Sequence, residues 1–254
     1  MNILSIGNSF SQDAHKWLSR IARGCGDDLL AANLYIGGCS LQTHWENFVS
    51  GAADYDLELN GEFVRKISIP EALELMNWDV ITFQQASHFS GDYSTYVPYL
   101  TDLFTAVKAR CPEAAYYIHQ TWSYEHDSTH PGFLRYDCSQ EAMYTMLTQC
   151  YTDAAAAIGA RLLPVGTLIQ YLRENTAQFD YAHGGLSLCR DGFHLSWLYG
   201  RYAAALLWYC VLFQKPVPQV CFLPTADGET ADAALLQCVH DAVDAFMRGN
   251  AKKL

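Results

Sequence analysis

Short apolar runs alternate with helically spaced segments along most of the chain, and this alternation limits the possible fold more than any other feature. "NILSI" (2–6), "LLAANLYIGG" (29–38), "WDVITFQQ" (78–85), "AAYYIHQTW" (114–122) and "RLLPV" (161–165) each read as a strand. Helical patterns lie between them over 11–24, 70–76, 96–110 and 139–158, and further helices are expected at 166–175, 195–213 and 226–249. The strands are apolar on both faces, so helices must cover both sides of the sheet they form. The expectation is a flavodoxin-like three-layer α/β/α fold on a roughly five-stranded parallel sheet, with 1–254 as a single domain. "YDLELNGEFVRKISI" (55–69) alternates on either side of Asn60-Gly61, the signature of a tight hairpin. It is expected as a small two-stranded insertion outside the main sheet.

In an open parallel sheet, ligands bind outside the carboxyl ends of the strands. The residues that end each strand are therefore the ones to read. The first strand ends at Gly7-Asn8-Ser9-Phe10, the second at Gly37-Gly38-Cys39-Ser40, and the third at Gln84-Gln85-Ala86-Ser87-His88. The fourth ends at His119-Gln120-Thr121-Trp122, and the loop before the last long apolar helix carries Asp191-Gly192-Phe193-His194. Small and polar residues thus collect at the one edge where this fold class puts its chemistry.

Ser9 has two readings. A hydroxyl displayed on a strand-to-helix turn can serve as a nucleophile once a base takes its proton. Alternatively, Ser9 or Ser11 simply caps the helix that follows. Asp191 and His194 lie three apart on one short segment. At that spacing the carboxylate can hold Nδ1 of the imidazole and leave Nε2 free to face a serine. They can equally be a helix cap followed by a surface histidine.

Taken together, "ILSIGNSFS", "NLYIGGCS" and "DGFHLS" resemble the first, second and last blocks of the SGNH (GDSL-like) hydrolase superfamily. "GNSFS", "FQQAS", "HQTW" and "DGFHLS", in that order, resemble more narrowly the uncharacterised SGNH-like family DUF4886. The resemblance covers nearly the whole chain. It implies Ser9 as nucleophile, His194 as base and Asp191 as its partner, with no cofactor. It also implies Gly38 as an oxyanion donor, and Asn8 stands where the superfamily usually has aspartate. The superfamily's third block, G-x-N-D, is replaced by Gln84-Gln85-Ala86-Ser87-His88. A glutamine amide can donate the same hydrogen bond as the missing asparagine. Successive strand residues point to opposite faces, so one glutamine at most faces the site, with Gln85 preferred over Gln84. His88 is a third candidate by direct counting, and the alternative is that both glutamines merely satisfy backbone groups.

The resemblance implies a serine esterase that removes a small acyl group, such as acetate, from a carbohydrate or other small-molecule ester. Two other readings stay open: a non-catalytic carbohydrate-binding relative, and a transferase that passes the acyl group to a sugar hydroxyl. The loop "HQTWSYEHDSTHPGFLRYD" (119–137) offers Trp122, Tyr124, His126, His130 and Phe133 as pocket walls. His119, His126 and His130 have no helical spacing across Pro131-Gly132, and no metal is expected. Tyr35 and Trp45 are assigned to the core.

Charge and cysteine usage remove other classes. A formal net charge of -11 argues against nucleic acid and against anionic membrane surfaces. The longest apolar run, 202–213, falls well short of the ~20 residues that span a bilayer. No basic stretch precedes an apolar run at the N-terminus, and the nine cysteines are scattered without a CxxC pair. These features lead to the expectation of a cytoplasmic protein. They leave its oligomeric state open.

Overall fold

The computed structural model describes residues 1–250. In chain order it runs β1 (Asn2–Gly7), α1 (Ser9–His15), α2 (Leu18–Gly24), β2 (Leu30–Tyr35) and α3 (Leu41–Ser50). It continues with β3 (Tyr55–Leu59), β4 (Glu62–Ile67), α4 (Ile69–Glu74), β5 (Val80–Phe83) and α5 (Tyr99–Arg110). Then follow β6 (Ala115–His119), α6 (Gln140–Ile158), β7 (Arg161–Leu163), α7 (Val165–Asn175) and α8 (Gly200–Phe213). A two-residue hairpin, β8 (Thr225–Ala226) and β9 (Glu229–Thr230), precedes α9 (Ala233–Asn250).

The main sheet has the order β4-β3-β2-β1-β5-β6-β7. Its parallel part, β2-β1-β5-β6-β7, has the order of a flavodoxin-like sheet, in which the first strand lies beside both the second and the third. The expected α/β/α architecture is therefore present. The chain reverses direction beside β1, which places a crevice above the ends of β1, β2 and β5. β1, β2 and β5 are almost wholly buried, as strands covered on both faces must be.

The hairpin differs from the expectation. β3 pairs antiparallel with β2, and β4 with β3, so both strands extend the main sheet. An uncovered β2 would have left a row of backbone donors and acceptors without partners. The hairpin satisfies them and buries Tyr55 and Leu57 against the core. Asn60, in the turn, accepts the Ala31 N–H through its side chain at 3.0 Å. β4 becomes the outer edge, and Phe63 on it is 63% exposed.

Three helices also begin elsewhere than their periodicity suggests, one of them α9, which starts at Ala233 instead of 226 because 225–230 form the β8–β9 hairpin. The segment 11–24 is two helices, α1 and α2, and α1 starts at Ser9. The last apolar helix starts at Gly200 instead of 195, because 189–195 is held as a tight loop closed by a bridge between Cys189 and Leu195. At one contact only glycine fits: a Cβ on Gly166, at the start of α7, would lie 2.0 Å from the Thr121 carbonyl oxygen. This close approach seats α7 against the chain leaving β6. Among the described residues no helix is long and apolar enough to cross a membrane.

Candidate functional site

The turn after β1 is built by Asn8 and not by Ser9. Asn8 is extended (φ -149°), and its side chain accepts the Phe10 N–H at 3.0 Å. Ser11 returns the favour, its hydroxyl accepting the Asn8 N–H at 3.1 Å. This reciprocal cap satisfies the helix start without using the Ser9 hydroxyl. Neither serine is the cap residue, which removes the plainer reading of Ser9.

The Ser9 hydroxyl instead meets the late loop. Its Oγ lies 2.8 Å from His194 Nε2. On the other side of the ring, Nδ1 lies 2.7 Å from Asp191 Oδ2. Asp191 Oδ1 also accepts the backbone N–H groups of His194 at 2.8 Å and Phe193 at 3.2 Å. The carboxylate can only accept, so it fixes the Nδ1–H tautomer and turns the Nε2 lone pair to the Ser9 O–H. Partial burial pushes the Asp191 carboxyl up, but the bonds from the His194 side chain and backbone outweigh it and hold the pKa below the usual value. Residues from opposite ends of the chain are thus joined in one hydrogen-bonded series.

A cavity of about 190 Å³ opens beside this series. Asn8, Ser9, Phe10 and Tyr35 form one part of its lining, and Gly37 and Gly38 another. Ser87, His88, His130, Phe193 and His194 complete it. Gly38 has φ +63°, a left-handed conformation that a glycine adopts without strain. Its N–H and that of Ser9 have no hydrogen-bond partner among the described residues. His130 Nδ1 accepts the Gly132 N–H at 3.0 Å, so a neutral His130 carries its proton on Nε2. Burial lowers the pKa of His130, helped by the nearby His194 and opposed by Asp191. Burial likewise lowers that of His88, helped by His130 and Arg135. Both rings are thereby biased to the neutral form.

The glutamines do not meet the expectation. Gln85, the preferred donor, is fully buried and turned into the scaffold. Its Oε1 accepts the Leu41 and Ala86 N–H groups at 3.0 and 2.8 Å, and its Nε2 donates to the Thr95 carbonyl at 2.9 Å. Gln84 donates from Nε2 to Asn8 Oδ1 at 2.5 Å. It braces the cap from below through its amide nitrogen, while its buried Oε1 has no hydrogen-bond partner among the described residues. The Asn8 side chain is likewise occupied, donating from Nδ2 to the Cys39 carbonyl at 3.1 Å. Of the third block, Ser87 and His88 are the residues that line the cavity.

Trp122 is not a wall of the cavity. It is fully buried, stacks on Phe10 with ring centroids 4.2 Å apart, and donates from Nε1 to the Phe193 carbonyl at 2.7 Å. It is the floor under Ser9 and His194. Tyr124 and Phe133 are also buried, and His126 is exposed beside Tyr181. His119 is sealed against Trp208, which donates to its Nδ1 at 3.1 Å, so the loop histidines are dispersed. Tyr35, assigned to the core from sequence, lines the cavity. Its place just before Gly37-Gly38 at a strand end was the available signal.

The family model of DUF4886, a domain of unknown function, matches residues 2–242. A crystal structure of a DUF4886 family protein from Bacteroides uniformis ATCC 8492 is 32% identical, with 98% of this chain and 95% of that chain covered and a TM-score of 0.87. A protein from Slackia heliotrinireducens, provisionally assigned as an SGNH hydrolase, is 22% identical over 84% of this chain and 98% of that one, with a TM-score of 0.56. The lipase/acylhydrolase from Enterococcus faecalis is 13% identical over 86% of this chain and 99% of that one, with a TM-score of 0.52. At these lower identities the likeness is one of fold. No curated protein matches this chain.

Proposed function

This chain belongs to the DUF4886 family, and from that footing we propose that it is a serine hydrolase of the SGNH type that removes a small acyl group from an ester. The observation that carries the reading is the contact of His194 Nε2 with Ser9 Oγ at 2.8 Å, backed by Asp191 on the far side of the ring. Ser9 Oγ attacks the ester carbonyl as His194 Nε2 takes its proton. The negative charge of Asp191 stabilises the imidazolium. The carbonyl oxygen becomes an oxyanion that the free N–H groups of Ser9 and Gly38 meet. His194 then gives its proton to the departing alcohol, and an acyl group remains on Ser9. Water, deprotonated by the same nitrogen, releases the acid and restores the serine.

The small cavity favours a short acyl group such as acetyl. None of its lining residues is Asp, Glu, Lys or Arg, which suits a neutral leaving group such as a sugar hydroxyl better than a charged one. A fluorophosphonate probe tests the reading. The expected result is one covalent adduct, located by mass spectrometry on the peptide that carries Ser9. An unlabelled Ser9 on folded protein removes the nucleophile and leaves a carbohydrate binder.

The third oxyanion donor in this reading is the His88 ring N–H, since His88 lines the cavity and both glutamine amide nitrogens donate elsewhere. His88→Ala should lower kcat on p-nitrophenyl acetate by about 10²–10³-fold, the usual cost of one such donor. An unchanged kcat would remove His88 from the oxyanion site.

A further inference from the structure

Four residues past Ser9, on the same face of α1, stands a fully buried carboxylate, Asp13. Its contacts reach across the chain. Oδ1 accepts Arg201 Nε and Nη2, both at 2.7 Å, and Arg190 Nη1 at 3.0 Å. Oδ2 accepts Arg190 Nη1 at 3.2 Å and the backbone N–H of Leu195 at 2.8 Å. Arg190 Nη1 donates in addition to the Leu195 carbonyl, and its backbone N–H donates to the His194 carbonyl at 2.8 Å. Both guanidinium groups lie over the Trp197 ring, 4.2 and 4.0 Å from its centroid.

From this arrangement we infer that Asp13 is a positioning residue that fixes where His194 meets Ser9. The Leu195 N–H belongs to the peptide unit that follows His194. Holding that unit fixes the backbone on the carboxyl side of His194. On the other side the Gly192 carbonyl accepts the Glu125 N–H at 2.8 Å. The imidazole therefore hangs between two anchored points. One of those anchors is the helix that carries the hydroxyl, so Ser9 and His194 share a single rigid reference. Stability alone is a weak reason for this cluster. One carboxylate faces two guanidinium groups, and buried ion pairs of this kind are often no better than well-packed apolar residues. What apolar side chains could not supply is a directional bond to the Leu195 peptide.

The inference rests on the hydrolase reading only for what the positioning serves. Asp13→Asn keeps the side-chain shape but must turn an N–H either toward the Leu195 N–H or toward the arginines. The expected result is a fall in kcat on p-nitrophenyl acetate of about 10²-fold, the scale of an ångström-sized misplacement, with KM little changed. Amide exchange followed by NMR should show faster exchange at Leu195 than in the unsubstituted protein. Arg190→Gln, at a partly exposed position, should change both readouts in the same direction and carries the test if Asp13→Asn does not fold. Folded Asp13→Asn with undiminished kcat, or with Leu195 as protected as before, overturns the inference. If the unsubstituted protein gives neither turnover nor a Ser9 adduct, the hydrolase reading falls, and exchange at Leu195 still decides whether Asp13 holds the loop.

Discussion

Ser9→Ala is expected to fold normally and to hydrolyse p-nitrophenyl acetate more slowly by on the order of 10⁴–10⁶-fold. The two halves of that result have separate causes. Folding survives because the hydroxyl has, among the described residues, a single polar contact, His194 Nε2, and the cap at the head of α1 is made by Asn8 and Ser11. Alanine also suits a helix. Catalysis does not survive, because no other hydroxyl takes the place of Ser9 beside His194. Ser87 is the other serine in the cavity, and its hydroxyl is paired with Tyr124 at 2.8 Å. Circular dichroism and steady-state turnover check the two halves. A variant that keeps the parent's turnover would show that the proton relay through Ser9 is not the source of activity.

Acid should begin to destabilise the protein before its carboxylates take up protons. Burial pushes the pKa values of His15, His44 and His119 each down to about 3. An unfolded chain protonates such rings near pH 6.5. Between those limits the unfolded state binds more protons than the folded one, so stability is full above about pH 6.5 and is lost as pH falls toward 3. Each ring contributes up to about 1.4 kcal/mol per pH unit, or about 4 kcal/mol per unit for the three. Against a usual margin of ~5–15 kcal/mol, this places acid unfolding on the order of pH 3–5. The urea midpoint, followed from pH 8 down to pH 4, should fall steeply below pH 6.5. A flat midpoint down to pH 5 contradicts the sealed, neutral state of these rings. Two of them lie directly under the site: His15 ends α1, and both His15 and His119 pack on Trp208, with centroids 5.0 and 5.2 Å away. Activity lost in mild acid would then come in part from the scaffold.

The sheet was legible because burial on both faces writes an unbroken apolar run into each strand, and such runs need no partner to be recognised. The hairpin's membership in that sheet was not legible. Alternation around Asn60-Gly61 describes the hairpin itself and says nothing of the β2 edge it covers. The preference for Gln85 failed for a physical reason. It extended strand alternation past Phe83, where β5 has already ended and the chain turns. Trp122 was misplaced because an aromatic at a strand end can serve as floor or wall, and only packing on Phe10 decides. Asp13 gave no signal as a lone acid in a helix, since its partners Arg190 and Arg201 lie 177 and 188 residues further along the chain.

α1 carries a constraint on how such a chain can vary in length. Ser9 and Asp13 sit one turn apart within a seven-residue helix, each aimed at a different part of the same late loop. Adding or deleting one residue between them would swing one contact by roughly 100° about the axis relative to the other. No compensating shift of the loop could recover both. Insertions and deletions are therefore barred from this stretch, while the exposed turn at 182–184, which makes neither contact, is free of this constraint.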